Sequence, residues 1–318
     1  MKVIVLGLGS IGMRHARNLK FLGIHEILGV DPSVERQERF SSEIGGGAYS
    51  ELTSEVSHGA QLVVIASPNR FHIEQAQGCV ELGIHLFIEK PLGISNDNID
   101  HLIKMVREKE IYAHIGSNWK FHPAFIRMKE LLDQNVIGTV VGAQVLAGQW
   151  LPDWHPWEDY RLGYSARADL GGGIVLDMHE LDYMSWLFGD ITSLSGFINH
   201  SGCLEIETED VACACLRFES GMLATLQVDY IQRSYQRRYH IYGSDGTIIW
   251  DIRNNQLSVY TAADQEETIE NVFEDINEMY IRQMQHVLDG VHGDVPPVTP
   301  IEHARKILKL QLRLKENG

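Results

Sequence analysis

Lys90, His179 and Asp182 are the residues whose types and settings suit proton transfer, and Gly7, Gly9 and Gly12 are those that suit holding a dinucleotide. Lys90 stands in Ile84–Gly93 (IHLFIEKPLG), where a short apolar run stops on Glu89-Lys90-Pro91. A run of that length after Gly83 predicts a strand buried on both faces of a parallel sheet. Ligands of open α/β sheets gather outside the carboxyl ends of such strands, so a lysine there, with a proline fixing the chain direction, is held over a ligand crevice. Taken alone, Lys90 reads more simply as a charged strand end in solvent. The rest of the chain reverses that order.

The elements that would position these residues begin at the first line of sequence. Lys2–Leu6 is a short apolar strand, Gly7-Leu8-Gly9-Ser10-Ile11-Gly12 follows at once, and Met13–Leu22 has helical character up to Gly23. In a G-x-G-x-x-G between strand and helix, the first glycine makes the turn, the second lets the backbone approach a pyrophosphate and the third lets helix pack on strand. The amide groups of Ser10, Ile11 and Gly12 then face the phosphates at a helix N-terminus. A second strand, Glu26–Val30, ends on Asp31, 24 residues after Gly7. An acid at that spacing accepts hydrogen bonds from ribose hydroxyls and repels a 2′-phosphate, which favours NAD over NADP. Asp31 as a plain helix N-cap is the alternative. Leu62–Ala66 predicts another buried strand, and Ser67, Pro68 and Asn69 at its end should line the cofactor crevice. His72 reads equally as a surface residue of the next helical turn or as part of the site. Helices near 72–82 and 96–109 and a strand near 112–116 complete an alternating pattern, hence a doubly wound parallel sheet over residues 1–121.

The pattern changes at Asn118-Trp119-Lys120-Phe121-His122-Pro123. Pro123 suits the start of a helix over 124–133. Beyond it, Val140–Leu146, Leu194–Ile198, Val211–Phe218, Leu223–Tyr230, Tyr239–Tyr242, Thr247–Trp250 and Leu257–Tyr260 read as strands with hairpin-like links. Residues 122–318 therefore form an α+β domain around a mostly antiparallel sheet. Asp264–Glu278 carries no Lys or Arg and reads as a solvated helix face or loop, and Thr299–Lys315 has helical periodicity. Trp150–Arg161 (WLPDWHPWEDYR) packs three Trp, two Pro and one His into an irregular stretch, either a cover for a sugar face or a structural plug. After Gly171-Gly172-Gly173, a helix over Ile174–Phe188 would set His179, Asp182, Tyr183 and Trp186 on one face. One reading is a buried His–Asp bond that locks the helix. The other is an imidazole offered to a substrate and oriented by the carboxylate.

The formal charge of −16 is uneven: residues 1–121 carry 12 basic and 14 acidic side chains, the remainder 15 and 29. So acidic a second part argues against nucleic acid or an anionic membrane surface as partner. No apolar stretch is long enough to span a bilayer, MKVIVLGLGSIG is not a signal peptide, and four cysteines suit a reducing cytoplasm. Cys213 and Cys215 alternate along one strand face without further ligands at metal spacing, so they read as packed thiols and no metal site is expected. Arg161, Arg167, Arg233, Arg237 and Arg238 supply the main positive charge of the second part. If some converge on the pocket, the substrate bears an anion. Arg233–His240 reads at least as well as an exposed strand.

Taken together, GLGSIG, Ser67–His72 (SPN…H), Glu89-Lys90-Pro91 and the Gly-Gly-Gly helix with His179-x-x-Asp182 resemble the Gfo/Idh/MocA family of sugar and cyclitol oxidoreductases, almost end to end. The resemblance implies that Lys90, often followed in this family by a cis proline, is the catalytic lysine near the nicotinamide, and that His179 exchanges a proton with the substrate hydroxyl. It extends to cofactor contacts from Gly7, Gly9, Ser10, Ile11, Gly12, Asp31, Ser67, Pro68, Asn69, His72 and Glu89. Substrate contacts would come from Lys90, Asn118, Trp157, Arg161, His179 and Tyr183. Two departures stand out. The family's helix often reads Asp-x-x-x-His, whereas Asp177 and His179 are two apart and diverge on a regular helix, so Asp177 as a catalytic acid needs a distorted turn. Lys120 stands where Arg is common. The DWHPWEDYR and HELDY segments look most like members found with bacterial surface-sugar pathways.

The implied chemistry is oxidation of a secondary alcohol, with Lys90 beside cationic NAD lowered in pKa and acting as base, His179 as relay and Asp182 setting its tautomer. The reverse order, His179 as base, is the close alternative. A redox-neutral enzyme that recycles bound NAD, and a non-catalytic NAD-binding sensor, are the competing functions. By resemblance, the open sheet face forms a homodimer or homotetramer.

Overall fold

The computed structural model describes residues 1–154, 156 and 158–318. The chain forms two units: Met1–Asn118 with Ile276–Leu308, and Trp119–Asp275 with Lys309–Gly318.

The first unit alternates β1 (Lys2–Leu6), α1 (Ser10–Phe21), β2 (Glu26–Val30), α2 (Val34–Ile44), β3 (Ala48–Tyr49), α3 (Ser54–Ser57), β4 (Leu62–Ile65), α4 (His72–Glu81), β5 (His85–Ile88), α5 (Ile99–Glu108) and β6 (Ala113–Ile115). The six strands are parallel, in the order β3-β2-β1-β4-β5-β6. That order places a crossing point between β1 and β4, where dinucleotides bind in doubly wound sheets. Leu62–Ile65 and Leu86–Ile88 are wholly buried, as apolar runs between neighbours on both sides must be.

The second unit begins with α6 (Pro123–Asp133) and β7 (Val140–Gly148), followed by two short helices, α7 (Ile174–Asp177) and α8 (Glu180–Phe188). Strands β8 (Ile191–Asn199), β9 (Val211–Phe218), β10 (Leu223–Asp229), β11 (Gln236–Gly243), β12 (Gly246–Asp251), β13 (Gln256–Thr261) and β14 (Glu267–Asn271) complete an eight-stranded sheet in the order β14-β13-β12-β11-β7-β10-β9-β8. Only β7 and β10 pair in parallel, so the segments leaving them emerge at one end of the sheet. One face is buried under a cluster in which Phe125 meets Tyr183, Tyr239 and Trp250 at ring separations of 5.0–5.3 Å. The other face is open, which alternation along β9 makes plain: Ala212, Ala214 and Leu216 point in, Cys213, Cys215 and Arg217 point out.

Several expectations change. The helix over 174–188 is interrupted at Met178, whose ψ of 136° is extended. Cys213 and Cys215 are exposed free thiols rather than packed ones, because the neighbouring alanines and leucine take the inner face. The acidic stretch 264–278 contains the edge strand β14, where Glu267 is exposed and Glu270 is bonded to Arg127 at 2.9 Å. Two helices follow, α9 (Ile276–Val291) and α10 (Ile301–Asn317). α9 belongs to the first unit, where Met284, Val287 and Leu288 join Val3, Val5 and Leu19 in one core. A division of the chain at 121 alone omits that return, which no change of composition marks. Among the described residues no helix is long and apolar enough to cross a membrane.

Candidate active-site residues

In the first unit the glycine turn is fixed by sterics. Gly7 has φ +88°, and a Cβ on Gly12 would collide with the Gly7 carbonyl. A Cβ on Gly9 would meet nothing within 4 Å, so space opens where a pyrophosphate must approach. Gly9 caps α1 without a side-chain bond, which leaves the first-turn amides of Ser10, Ile11 and Gly12 without a side chain in their way. The buried Asp31 carboxylate accepts the Leu8 N–H at 2.9 Å and the Ser33 N–H at 2.9 Å, with Arg36 at 3.4 Å. Ser33 caps α2 through its own hydroxyl, so Asp31 is not that helix's cap. The open approach at Gly9, the donors of α1 and the carboxylate bolted to the turn fit a dinucleotide.

The carboxyl ends of β4 and β5 carry the remaining residues. Ser67 Oγ donates to Gln75 at 2.6 Å, Pro68 leads into a single turn, and Asn69 is buried. His72 is wholly buried, with Nδ1 2.8 Å from the Pro91 carbonyl and Nε2 2.8 Å from the Ser67 carbonyl. It therefore ties the end of β4 to the segment after β5, and neither the surface reading nor a direct cofactor contact describes it. Burial pushes its pKa down against the two carbonyls, which pull it up. Lys90 is half-buried just past β5, and its peptide bond to Pro91 is cis. Glu89 is bonded to His15 Nε2 at 2.6 Å. Burial pushes the Glu89 carboxyl up, but the His15 contact and the charge of Lys90 outweigh it and hold it below the carboxylate range. A Cβ on Gly116 would come within 2.9 Å of Glu89 Oε2, so that glycine leaves the carboxylate its room. Asn118 is buried, with its amide 3.6 Å from Met279 Sδ. His15 had no signal in the sequence, being one polar residue within a helix.

In the second unit the break at Met178 arranges the site. Asp177, at the end of α7, accepts hydroxyl bonds from Tyr164 at 2.7 Å, Ser165 at 2.6 Å and Tyr230 at 2.6 Å. The freed carbonyls of Val175 and Met178 accept Gln311 Nε2 from α10 at 2.9 and 3.3 Å. His179 then starts α8. Its Nδ1 meets Tyr183 Oη at 2.9 Å, and its backbone N–H donates to Glu180 Oε2 at 3.1 Å. The Tyr183 oxygen also takes the Trp119 backbone N–H, and burial raises the phenol pKa far above its ordinary value. Asp182 engages Lys120 Nζ at 2.7 Å. Burial pushes the Lys120 pKa down against the pull of Asp182. Tyr183 is fully buried, so its hydroxyl serves the His179 ring and is not open to a ligand directly. Buried Arg237 lies 2.9 Å from Glu180 and 4.4 Å over the Trp119 ring.

Other expected contacts fall elsewhere. Arg161 is exposed and bonded to Asp159 at 2.8 Å and to Glu205 at 3.0 Å. Trp157 lies outside the described residues. Trp154 stands edge-on to Tyr230, ring centres 5.3 Å apart. The sequence set Tyr183 one turn after His179 without marking it as the ring's support, and it did not mark Lys120, Gln311 and Arg237 as partners because those three act across long chain separations.

Comparison with known proteins adds the chemistry. An oxidoreductase family model with an NAD-binding Rossmann fold matches residues 1–117, and the GFO/IDH/MocA C-terminal domain matches residues 125–249. The chain is 26% identical over 335 residues to myo-inositol 2-dehydrogenase of Thermotoga maritima, covering 100% of this chain and 96% of that protein. It is 27% identical over 316 residues to scyllo-inositol 2-dehydrogenase (NAD(+)) of Bacillus subtilis, covering 95% and 90%. The solved UDP-N-acetylglucosamine 3-dehydrogenase GnnA of Acidithiobacillus ferrooxidans shares the fold at a TM-score of 0.83 and 20% identity, over 100% of this chain and 97% of that one.

Proposed function

This chain belongs to the Gfo/Idh/MocA family of NAD-binding oxidoreductases, and from that premise we propose that it oxidises one secondary alcohol of a sugar or sugar derivative, with Lys90 as base and His179 as hydrogen-bond donor. Bound NAD supplies the hydride acceptor at its nicotinamide ring. The first unit's own residues seat it: Gly7–Gly12 and the α1 amides take the pyrophosphate, and Asp31 takes the ribose.

The observation that carries the reading is the hydrogen bond at His179 Nδ1. A neutral ring that accepts there bears its proton on Nε2, and so offers a donor to the substrate oxygen. The proton on the alcohol oxygen would pass to Lys90 Nζ, and the hydride on the carbon that bears that oxygen would go with its electron pair to the nicotinamide. Asp177, committed to three hydroxyl donors, serves the turn before His179 rather than the reaction. The sequence features shared with surface-sugar members of the family direct the substrate search toward amino sugars and nucleotide-linked sugars.

The test is NADH formation with a panel of hexoses, inositols, amino sugars, nucleotide sugars and sugar acids. Lys90→Ala should lower turnover by about 10²–10⁴-fold while NAD still binds. Product without net NADH would refute the simple dehydrogenase. The open face of the second unit's sheet carries Phe197, Leu223, Tyr242, Tyr260 and Ile269 exposed, Phe197 to 79%. We assign it to self-association. Sedimentation should show a dimer or tetramer in the wild type, weakened by Phe197→Asp.

A further inference from the structure

Of the five arginines that the sequence singles out in the second unit, three are ion-paired with carboxylates. Arg161 is held by Asp159 and Glu205, Arg167 by Asp169 and Arg237 by Glu180, while Arg238 faces Asp251 across the β11–β12 ladder, a carboxylate that is bonded to Arg253 at 2.9 Å. Arg233 is different. Among the described residues its guanidinium has no carboxylate, and it lies 3.5 Å from the centre of the Trp150 ring.

The two segments that bring these side chains together are built for the purpose. Gly148 and Asp229 end the parallel pair β7 and β10. Gln149 N–H donates to the Asp229 carbonyl at 3.2 Å and Leu151 N–H to the Tyr230 carbonyl at 3.0 Å, so the Trp150 segment runs beside the Arg233 segment. The buried Asp229 carboxylate accepts the N–H groups of Ile231 and Gln232 at 3.0 Å each and the Gln232 side chain at 2.9 Å, which fixes the turn just before Arg233. The same stretch carries Tyr230, whose hydroxyl bonds Asp177, two residues from His179. An arginine stacked on an indole keeps its N–H edge free, and that edge matches an oxyanion in two parallel bonds. With net charge strongly negative in residues 122–318, an uncompensated cation held in place is a selective attraction against a repulsive background.

We propose that Arg233, seated on Trp150, is an oxyanion-binding subsite for the substrate, so that the sugar carries a phosphate or a carboxylate away from its reacting carbon. This deepens the dehydrogenase reading and rests on it for the word substrate, but the binding of the anion stands or falls separately.

The test is calorimetry on the full-length protein saturated with NAD, which blocks the dinucleotide site. UDP is compared with uridine, and glucuronate with glucose. One charged member should bind the wild type at least about tenfold more tightly than its neutral counterpart, as a bidentate charge-assisted contact allows. UDP showing the gain identifies a phosphate, and glucuronate a carboxylate. Arg233→Ala should remove the gain and Arg233→Lys keep part of it, with unchanged melting temperatures showing that both variants fold. Trp150→Leu should weaken the charged ligand alone. Equal binding of charged and neutral members, including none by either, overturns the proposal, as does a preference that survives Arg233→Ala. Absence of NADH from every sugar, with the anion preference intact, would instead remove the dehydrogenase reading and leave the subsite.

Discussion

The two units hold their key residues by different means. Around Asp31, His72 and the glycine turn the fixing contacts run to the main chain: Leu8 and Ser33 N–H to Asp31, and Ser67 and Pro91 carbonyls to His72. Around His179 they run between side chains: Tyr183 to the ring, Lys120 to Asp182, and three hydroxyls to Asp177. Main-chain partners are present whatever the neighbouring side chains, so the first arrangement depends on backbone shape and on a few glycines. Side-chain partners must be supplied one by one, so the second depends on residues scattered from 119 to 311. Damage to the first should be abrupt, and damage to the second graded.

The sharpest test of that contrast is Gly12→Ala. Its methyl group meets the Gly7 carbonyl, a fixed part of the turn. NAD affinity should fall by at least about 100-fold, given the steric cost of overpacking a fixed backbone, as read by quenching of tryptophan fluorescence. Near-normal affinity would mean that the turn yields and the contrast is false.

Next in size is Asp177→Asn, which swaps one acceptor oxygen for a donor among Tyr164, Ser165 and Tyr230. A hydroxyl left without its acceptor should cost about 1–3 kcal/mol, measured by urea unfolding. Catalysis should fall less than in His179→Ala. A collapse of turnover with stability intact would return Asp177 to the chemistry.

The smallest effect concerns pH. Glu89 is held below its ordinary carboxylate pKa in the folded chain. Its stabilisation is therefore complete above the unfolded value, about 4.3, and is lost as pH falls through the depressed folded value. Glu89→Gln should flatten the acid limb of stability against pH and leave the neutral plateau nearly parallel to the wild type. An unaltered acid limb would show that the His15 contact does not govern it.

The same contrast explains what the sequence made legible. Gly7, Gly9, Gly12 and Asp31 were readable because backbone geometry restricts which residues can stand there, and the restriction leaves a spacing. The place of Lys90 just past a buried strand was readable from the end of an apolar run. The break at Met178 was not, because its stabilisers, Gln311 and the hydroxyls of Tyr164 and Tyr230, lie 13 or more positions from the residues they hold. His15 and Lys120 were hidden for the same reason. Each is an ordinary polar residue until a carboxylate far along the chain meets it. The return of α9 to the first unit was hidden too, since an amphipathic helix does not record which core it will join.

Asp31 carries two duties at once, and this constrains how such a protein can change its diet of cofactors. The carboxylate that would turn away a 2′-phosphate also receives the Leu8 amide inside the phosphate turn. A lineage moving toward NADP by Asp31→Gly or Asp31→Ala would loosen the turn in the step that relaxed selectivity, and lose fitness on both cofactors before gaining on either. Asp31→Asn keeps an oxygen for Leu8 while removing the charge, gives up only the Ser33 N–H bond at the other oxygen, and has Arg36 already nearby. The passable route between the two cofactors is therefore narrow, and it begins with that single exchange.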